Sequence, residues 1–231
     1  VSKTLLALIL RHGESDANAT GVFRSRLDSC LTDNGISQAE KAAAFIAKNF
    51  DVKRIVSSPM LRAMQTADIV SEEIGIEVIQ DRGLMCWNLG FLSGRDREVY
   101  GHILEYYVDN PEQVIPEGES LEYFTTRTQD FFEKNLFLKE STGGKHEVQH
   151  ENASGPWTYY GEDAPQELIL FVCHTSNLVC LENIVVENPE GRPESGEAAV
   201  GTGGMAAIYA DGEDIIVEPI FGESHRAEFG S

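Results

Sequence analysis

Two short runs, LLALIL at residues 5–10 and ELILFVC at residues 167–173, are apolar almost throughout. A strand with one wet face alternates apolar and polar residues, so runs like these need cover on both faces of their sheet. The intervening sequence supplies that cover. TDNGISQAEKAAAFIAKNF, from Thr32, opens with capping residues and places Ile36, Ala39, Ala43, Ile46 and Ala47 at helical spacing. Arg54–Val56 is a second short strand, broken by Ser57-Ser58-Pro59, and MLRAMQTADIVSEEIG is a helix with Pro59 at its opening and Gly75 as its stop. Ile76–Ile79 reads as a third strand, Ser120–Phe137 as a long helix with a Ser cap, and SNLVCLENIVV as another helix. GGMAAIYADGEDIIVEPI reads as two strands joined at Asp211-Gly212. Strands alternating with helices predict an α/β fold, with a mostly parallel sheet between two helical layers.

The polar stretch at about 141–167, punctuated by Gly and Pro, is expected to be an inserted surface excursion with a hairpin around Trp157, Tyr159 and Tyr160. Residues 1–227 are then expected to form one domain. Glu228-Phe229-Gly230-Ser231 is set apart as a tail of the kind that cloning linkers encode.

Charge narrows the partners. Lys+Arg 18 against Asp+Glu 38 gives a formal net charge of −20, a field that repels nucleic acid and anionic membranes. Any phosphate site must be a local basic pocket inside an acidic shell. No stretch is long and apolar enough to span a bilayer, and no signal-peptide pattern opens the sequence. Cys30, Cys86, Cys173 and Cys180 have neither a disulfide framework nor metal-ligand spacing. A reducing, cytoplasmic setting is expected, with no metal and no cofactor.

Three predicted strands end in similar fashion. LLALIL gives way to Arg11-His12-Gly13, the Arg54–Val56 strand to a helix carrying Arg62, and ELILFVC to His174-Thr175-Ser176. In parallel sheets ligands gather at the carboxyl ends of the strands. If these strands are neighbours, two histidines and two arginines converge in an acidic protein. A bound dianion would relieve their repulsion, arginine forks grip phosphate oxygens, and a neutral imidazole is nucleophilic toward phosphorus. The residues point to phosphoryl transfer through a histidine. Each taken alone has a plainer reading: His174 as a helix cap, Arg62 as a solvated helix charge.

The ordered set resembles the histidine phosphatase superfamily, which includes the cofactor-dependent phosphoglycerate mutases. Arg11-His12-Gly13-Glu14-Ser15 with Asn18 is similar to its RHG signature; Leu31-Thr32, Gly35 and Gln38-Ala39 follow. After them come Ser57-Ser58-Pro59-Met60-Leu61-Arg62-Ala63, Gln65-Thr66-Ala67, Pro116-Glu117-Gly118-Glu119-Ser120 and His174. The resemblance implies a three-layer α/β/α sandwich of the phosphoglycerate mutase type. It also implies His12 as nucleophile, Arg11, Arg62 and His174 as phosphoryl-holding groups, and Ser15, Asn18 and Thr175 as phosphate-pocket residues.

One position departs from the family pattern. The segment Gly83-Leu84-Met85-Cys86-Trp87-Asn88-Leu89-Gly90 keeps the leucine and glycine but carries Cys86 where the resemblance implies a proton-donating glutamate. With a reference pKa near ~8.5, a thiol is a poor acid at neutral pH. Glu119 is the first replacement candidate, with Glu14 and Asp16 behind it. A leaving group that needs little protonation is another solution, and a slow phosphate-binding domain a third. The leading expectation is a phosphatase acting on small phosphomonoesters. A phosphoglycerate mutase is the alternative among enzymes, and a weakly catalytic phospholigand-binding module the alternative outside them.

Overall fold

The computed structural model describes residues 3–16, 20–136, 138–140, 157–159, 167–185, 200–211 and 214–222. Its elements follow the predicted alternation: β1 (Thr4–Arg11), α1 (Asp33–Asn49), β2 (Val52–Ser57), α2 (Leu61–Ile74), β3 (Val78–Gln80), α3 (Arg97–Asp109) and α4 (Leu121–Leu136). Then come β4 (Leu138–Glu140), β5 (Trp157–Tyr159), β6 (Leu168–Cys173), α5 (Thr175–Val185), β7 (Met205–Asp211) and β8 (Asp214–Phe221).

Six strands form one sheet in the order β3-β2-β6-β1-β7-β8. β1, β2, β3 and β6 are parallel, β7 runs against β1, and β8 runs against β7. The sheet is therefore mixed but mostly parallel, as expected. β4 and β5 make a separate antiparallel pair, Leu138 opposite Tyr159, with β4 just before the polar stretch and β5 within it. The predicted hairpin is present, with Asp211 opposite Asp214 where β7 meets β8, while Gly212, Asn18 and the 228–231 tail lie outside the described residues.

Residue alternation along the central strands creates the layers. Leu8 and Leu10 of β1 join Leu170, Val172, Ile55 and Ala207 against Ala42, Ala43 and Ile46 of α1 and Ala63, Ala67 and Val70 of α2. Ala7 and Ile9 point the other way, with Ile169, Phe171 and Ile208, toward Phe131, Phe132 and Leu136 of α4 and Leu178 and Leu181 of α5. The rings of Phe131, Phe132 and Phe171 meet edge to face at 5.3–5.7 Å, a geometry favoured by the aromatic quadrupole.

The apolar face of α1 is narrower than its spacing suggests. Ile36 is exposed and Ala47 also faces solvent, while Gly35, Ala39, Ala42, Ala43 and Ile46 are buried. The reason lies in Gly35, whose backbone packs on the loop after β1: an added Cβ would lie 1.9 Å from Glu14 O. A Cβ on Gly13 would in turn lie 2.4 Å from Gly35 O. This glycine pair brings α1 against the tip of β1, and Thr32 caps the helix by accepting from Gly35 N–H at 3.0 Å.

Replacing Gly35→Ala should therefore destabilise the fold by about 1–3 kcal/mol, the usual range for overpacking. Chemical denaturation measures this; an unchanged midpoint would show that loop and helix separate without cost.

Candidate active site

Backbone hydrogen bonds from both neighbouring strands hold the tip of β1. Arg11 N–H donates to Gly204 O at 3.0 Å and His12 N–H to Cys173 O at 3.1 Å. Gly203 N–H donates to the carbonyls of Arg11 and His12 at 3.2 and 3.1 Å. The loop beyond is tied to α2, because Gly13 N–H donates to Thr66 Oγ1 at 3.0 Å and that hydroxyl donates to Arg62 O at 2.8 Å. Gln38 accepts from Glu14 N–H at 2.8 Å, and Gln65 accepts from Leu31 N–H at 2.8 Å. The motif residues Thr32, Gly35, Gln38, Gln65 and Thr66 thus position the loop.

His12 is buried, and its tautomer follows from its partners. Gly13 O, 2.7 Å from Nδ1, can only accept, so Nδ1 carries the proton. Nε2 accepts from Arg62 Nε at 3.2 Å. The ring is therefore a neutral imidazole with its lone pair on Nε2. His174 lies beside it, ring centroids 5.1 Å apart, with Nε2 2.8 Å from Ser58 Oγ. As the residue before α5, His174 also accepts at its carbonyl from Asn177 N–H at 3.0 Å. The helix consequently begins at the site, and Thr175 and Ser176 bring its N-terminal dipole there.

A cavity of about 40 Å³ lies at this tip. His12, Arg62, His174, Thr175 and Ser176 line one part; Arg24, Ser25, Trp87 and Leu89 complete it. That volume holds a few water-sized atoms, so an extended ligand would insert one end. Arg24 Nη1, His174 Nδ1 and Ser176 Oγ are buried without a hydrogen-bond partner, as is Arg11 Nε beside His12. Buried polar atoms are normally paired, so such a cluster around a cavity marks a place built for a ligand rich in acceptors.

The electrostatics agree. Burial, reinforced by the charge of Arg62, holds both His12 and His174 well below the ordinary imidazole range. Burial also lowers Arg11 to about 10 and Arg24 to about 9, and nearby guanidiniums add to both shifts. Positive groups are crowded here without compensating carboxylates among the described lining residues.

Convergence holds for His12, Arg62, His174 and Thr175. Arg11 is buried at the strand tip, with Nη1 donating to Val200 O at 3.0 Å. Ser15 is buried and bridges Leu31. Glu119 does not line the cavity. Its carboxylate accepts from Arg26 Nη2 at 2.9 and 3.0 Å, Arg127 Nη2 at 3.1 Å and Asn88 N–H at 2.9 Å. Glu14 accepts from Thr32 Oγ1 at 2.7 Å and Asn34 Nδ2 at 3.1 Å. Cys86 donates to Ser25 O at 3.0 Å and receives Arg62 Nη2 at 3.6 Å.

Arg24 and Ser25 escaped the sequence reading, which named Ser58 only as part of the family match and gave it no role. Ser25 has φ 45°, a region costly for an L-residue. It is held there by bonds from Ser25 Oγ to Trp87 O at 3.0 Å and from Leu89 N–H to Ser25 Oγ at 2.8 Å. The carbonyl so exposed accepts from Arg62 Nη2 at 3.0 Å and aims that guanidinium. The one available signal was FRSR, two arginines in a strongly acidic chain.

A family model described as the histidine phosphatase superfamily, branch 1, matches residues 7–149. A 2,3-bisphosphoglycerate-dependent phosphoglycerate mutase of Thermoplasma acidophilum is 41% identical over 91 residues, 39% of this chain and 45% of that protein. A Hydrogenobacter thermophilus protein named "Putative phosphoserine phosphatase 2" is 34% identical over 153 residues, 61% of this chain and 74% of that one. The chain thus aligns with less than half of the mutase and about three quarters of the phosphatase. The fold also matches the solved structure of a mycobacterial glucosyl-3-phosphoglycerate phosphatase, with a TM-score of 0.70 and 20% identity, covering 94% of this chain and 98% of that one. With the family model spanning well over half its length, this chain belongs to the histidine phosphatase superfamily.

Proposed function

We propose that the protein is a phosphatase that hydrolyses small phosphomonoesters through a phosphohistidine on His12. The observation that carries this reading is the fixed tautomer: Nδ1–H is tied to Gly13 O at 2.7 Å, which leaves the Nε2 lone pair at the cavity. In the first step Nε2 attacks phosphorus, the phosphorus–oxygen bond to the leaving group breaks, and its electron pair goes to the departing oxygen. Arg62, His174 and the first residues of α5 hold the remaining phosphoryl oxygens, with Arg11 adding positive charge beside His12. Water then displaces His12 from phosphorus and releases orthophosphate. Ser15 and Asn18 are assigned to phosphate binding on the family resemblance. In the observed geometry Glu119 orders Arg26, Arg127 and the Asn88 loop, and we give it no proton-transfer role.

The similarity to a phosphoglycerate mutase over 91 residues supports a second reading, in which a phosphoglycerate rather than water takes the phosphoryl group. That reading predicts isomerised phosphoglycerate and stimulation by a bisphosphate. A binding module would do neither.

Quenching the protein during turnover of a panel of phosphorylated metabolites should trap an acid-labile phosphate on His12. His12→Ala should abolish it together with hydrolysis, and a chelator should leave turnover intact. Absence of the adduct with every phosphoester would refute the phosphatase reading.

The same charge cluster governs acid stability. In the folded protein His12 and His174 stay neutral well below the usual range, whereas in the unfolded chain they take up protons below about pH 6.5. The unfolded state then binds more protons, so stability falls as pH drops from about 6.5 toward the depressed folded values, by roughly 1.4 kcal/mol per pH unit for each imidazole. Denaturation between pH 6.5 and 5.5 should show this slope, and the double variant His12→Gln/His174→Gln should lose it. Identical slopes would mean that these rings titrate normally.

A further inference from the structure

The phosphatase reading leaves one step without a named group, the fate of the leaving oxygen, and Arg24 stands where that step needs help. Arg24 comes from the segment between β1 and α1, on a different element from the phosphoryl-holding groups, and lines the same cavity beside Trp87 and Leu89. It is 8% exposed, and its Nη1 has no hydrogen-bond partner. A buried guanidinium nitrogen without an acceptor is costly, and an anion placed there removes the cost.

Glu119 and Glu14, the glutamates considered as proton donors, are engaged elsewhere. Among the described residues that line the cavity none is a carboxylic acid. Glu119 is filled by donors from Arg26, Arg127 and Asn88, and Glu14 by Thr32 and Asn34. The Cys86 thiol is turned onto Ser25 O. The described lining therefore offers a leaving oxygen the positive charge of Arg24 and no carboxylic acid.

We propose that Arg24 receives the leaving group as an oxyanion, so that the site selects phosphoryl groups carried on acidic oxygens over those carried on alkyl alcohols. The shared chemistry is a departing phenolate, carboxylate or phosphate. As His12 Nε2 bonds to phosphorus, the phosphorus–oxygen bond breaks and the oxygen keeps the electron pair, leaving as a stable anion that takes up no proton. Water then adds to phosphorus, the nitrogen–phosphorus bond breaks, and the proton lost by water ends on orthophosphate or solvent. Alkyl alkoxides are too basic to leave in this way. This inference rests on the phosphatase reading of the same site.

Its test is a leaving-group series: butyl phosphate, substituted phenyl phosphates, acetyl phosphate and inorganic pyrophosphate, each followed by kcat/KM and by labelling of His12. Wild type should favour the acidic leaving groups steeply, with butyl phosphate slower by about 10²–10⁴-fold than an enzyme with a proton donor would make it. The acyl, aryl and pyrophosphate arms identify which acidic oxygen fits best. Arg24→Gln should lower turnover of the preferred donor about 10²–10³-fold, the usual loss for one charge-stabilising group. It should weaken competitive inhibition by inorganic phosphate much less than it lowers turnover, because the fourth oxygen of bound phosphate reaches Arg24 but develops no new charge. Cys86→Glu should flatten the series by raising the alkyl arm.

A flat wild-type series would overturn the proposal, as would Arg24→Gln weakening phosphate inhibition in step with turnover. The phosphatase reading survives both of those results, since His12 would still become labelled. Failure of every donor to label His12 removes both.

Discussion

One hydrogen bond sets the protonation pattern of the candidate site: His12 Nδ1–H to Gly13 O at 2.7 Å. It forces the lone pair onto Nε2, which receives Arg62 Nε–H at 3.2 Å in the cavity wall. Neighbouring elements fix the loop that carries it. Gly13 packs backbone to backbone against Gly35 of α1, and Thr66 anchors Gly13 N–H to α2. The central strand β1, buried on both faces, provides the rigid mount. Preorganisation of this kind lowers a barrier because no reorientation is needed when charge develops.

Around that ring the protein concentrates positive charge while its surface is strongly negative, with a formal net charge of −20. Arg11, Arg24 and Arg62 are all buried near two neutral histidines. Such a cluster opposes folding, and two hydrophobic layers built on a six-stranded sheet offset it. The unpartnered atoms Arg24 Nη1, His174 Nδ1 and Ser176 Oγ show where the cost is concentrated. On the proposed reading the phosphoryl group relieves it at His174 and Ser176 and the leaving oxygen relieves it at Arg24, so the same arrangement that opposes folding favours ligand binding.

Much of this was legible in the sequence. Continuous apolar runs revealed the doubly covered strands β1 and β6, and their shared ending in Arg-His or His-Thr foretold which edge carries the cavity. Element ends shifted by one or two residues, and Ile36 and Ala47 fell outside the buried face, because Gly35 contact sets the rotation of α1 rather than summed hydrophobicity. Arg24 and Ser25 were hidden for a different reason. They lie in an irregular segment where no periodicity reports side-chain direction, and Ser25 adopts a left-handed φ that nothing local demands. Glu119 was singled out through the family resemblance, but its pairing with Arg26 depends on a residue far away in sequence, and its pairing with Arg127 on how α4 packs.

The central claim is that His12 is held as a neutral Nδ1–H imidazole whose Nε2 stays unprotonated while an anion binds beside it. Nitrogen-15 NMR of the histidine rings, recorded without ligand and with inorganic phosphate near neutral pH, measures this directly. The account predicts a His12 ring protonated on Nδ1 alone in both states, with His174 gaining a proton when phosphate binds. A His12 ring protonated on Nε2, or an imidazolium at His12 in the absence of ligand, would contradict it.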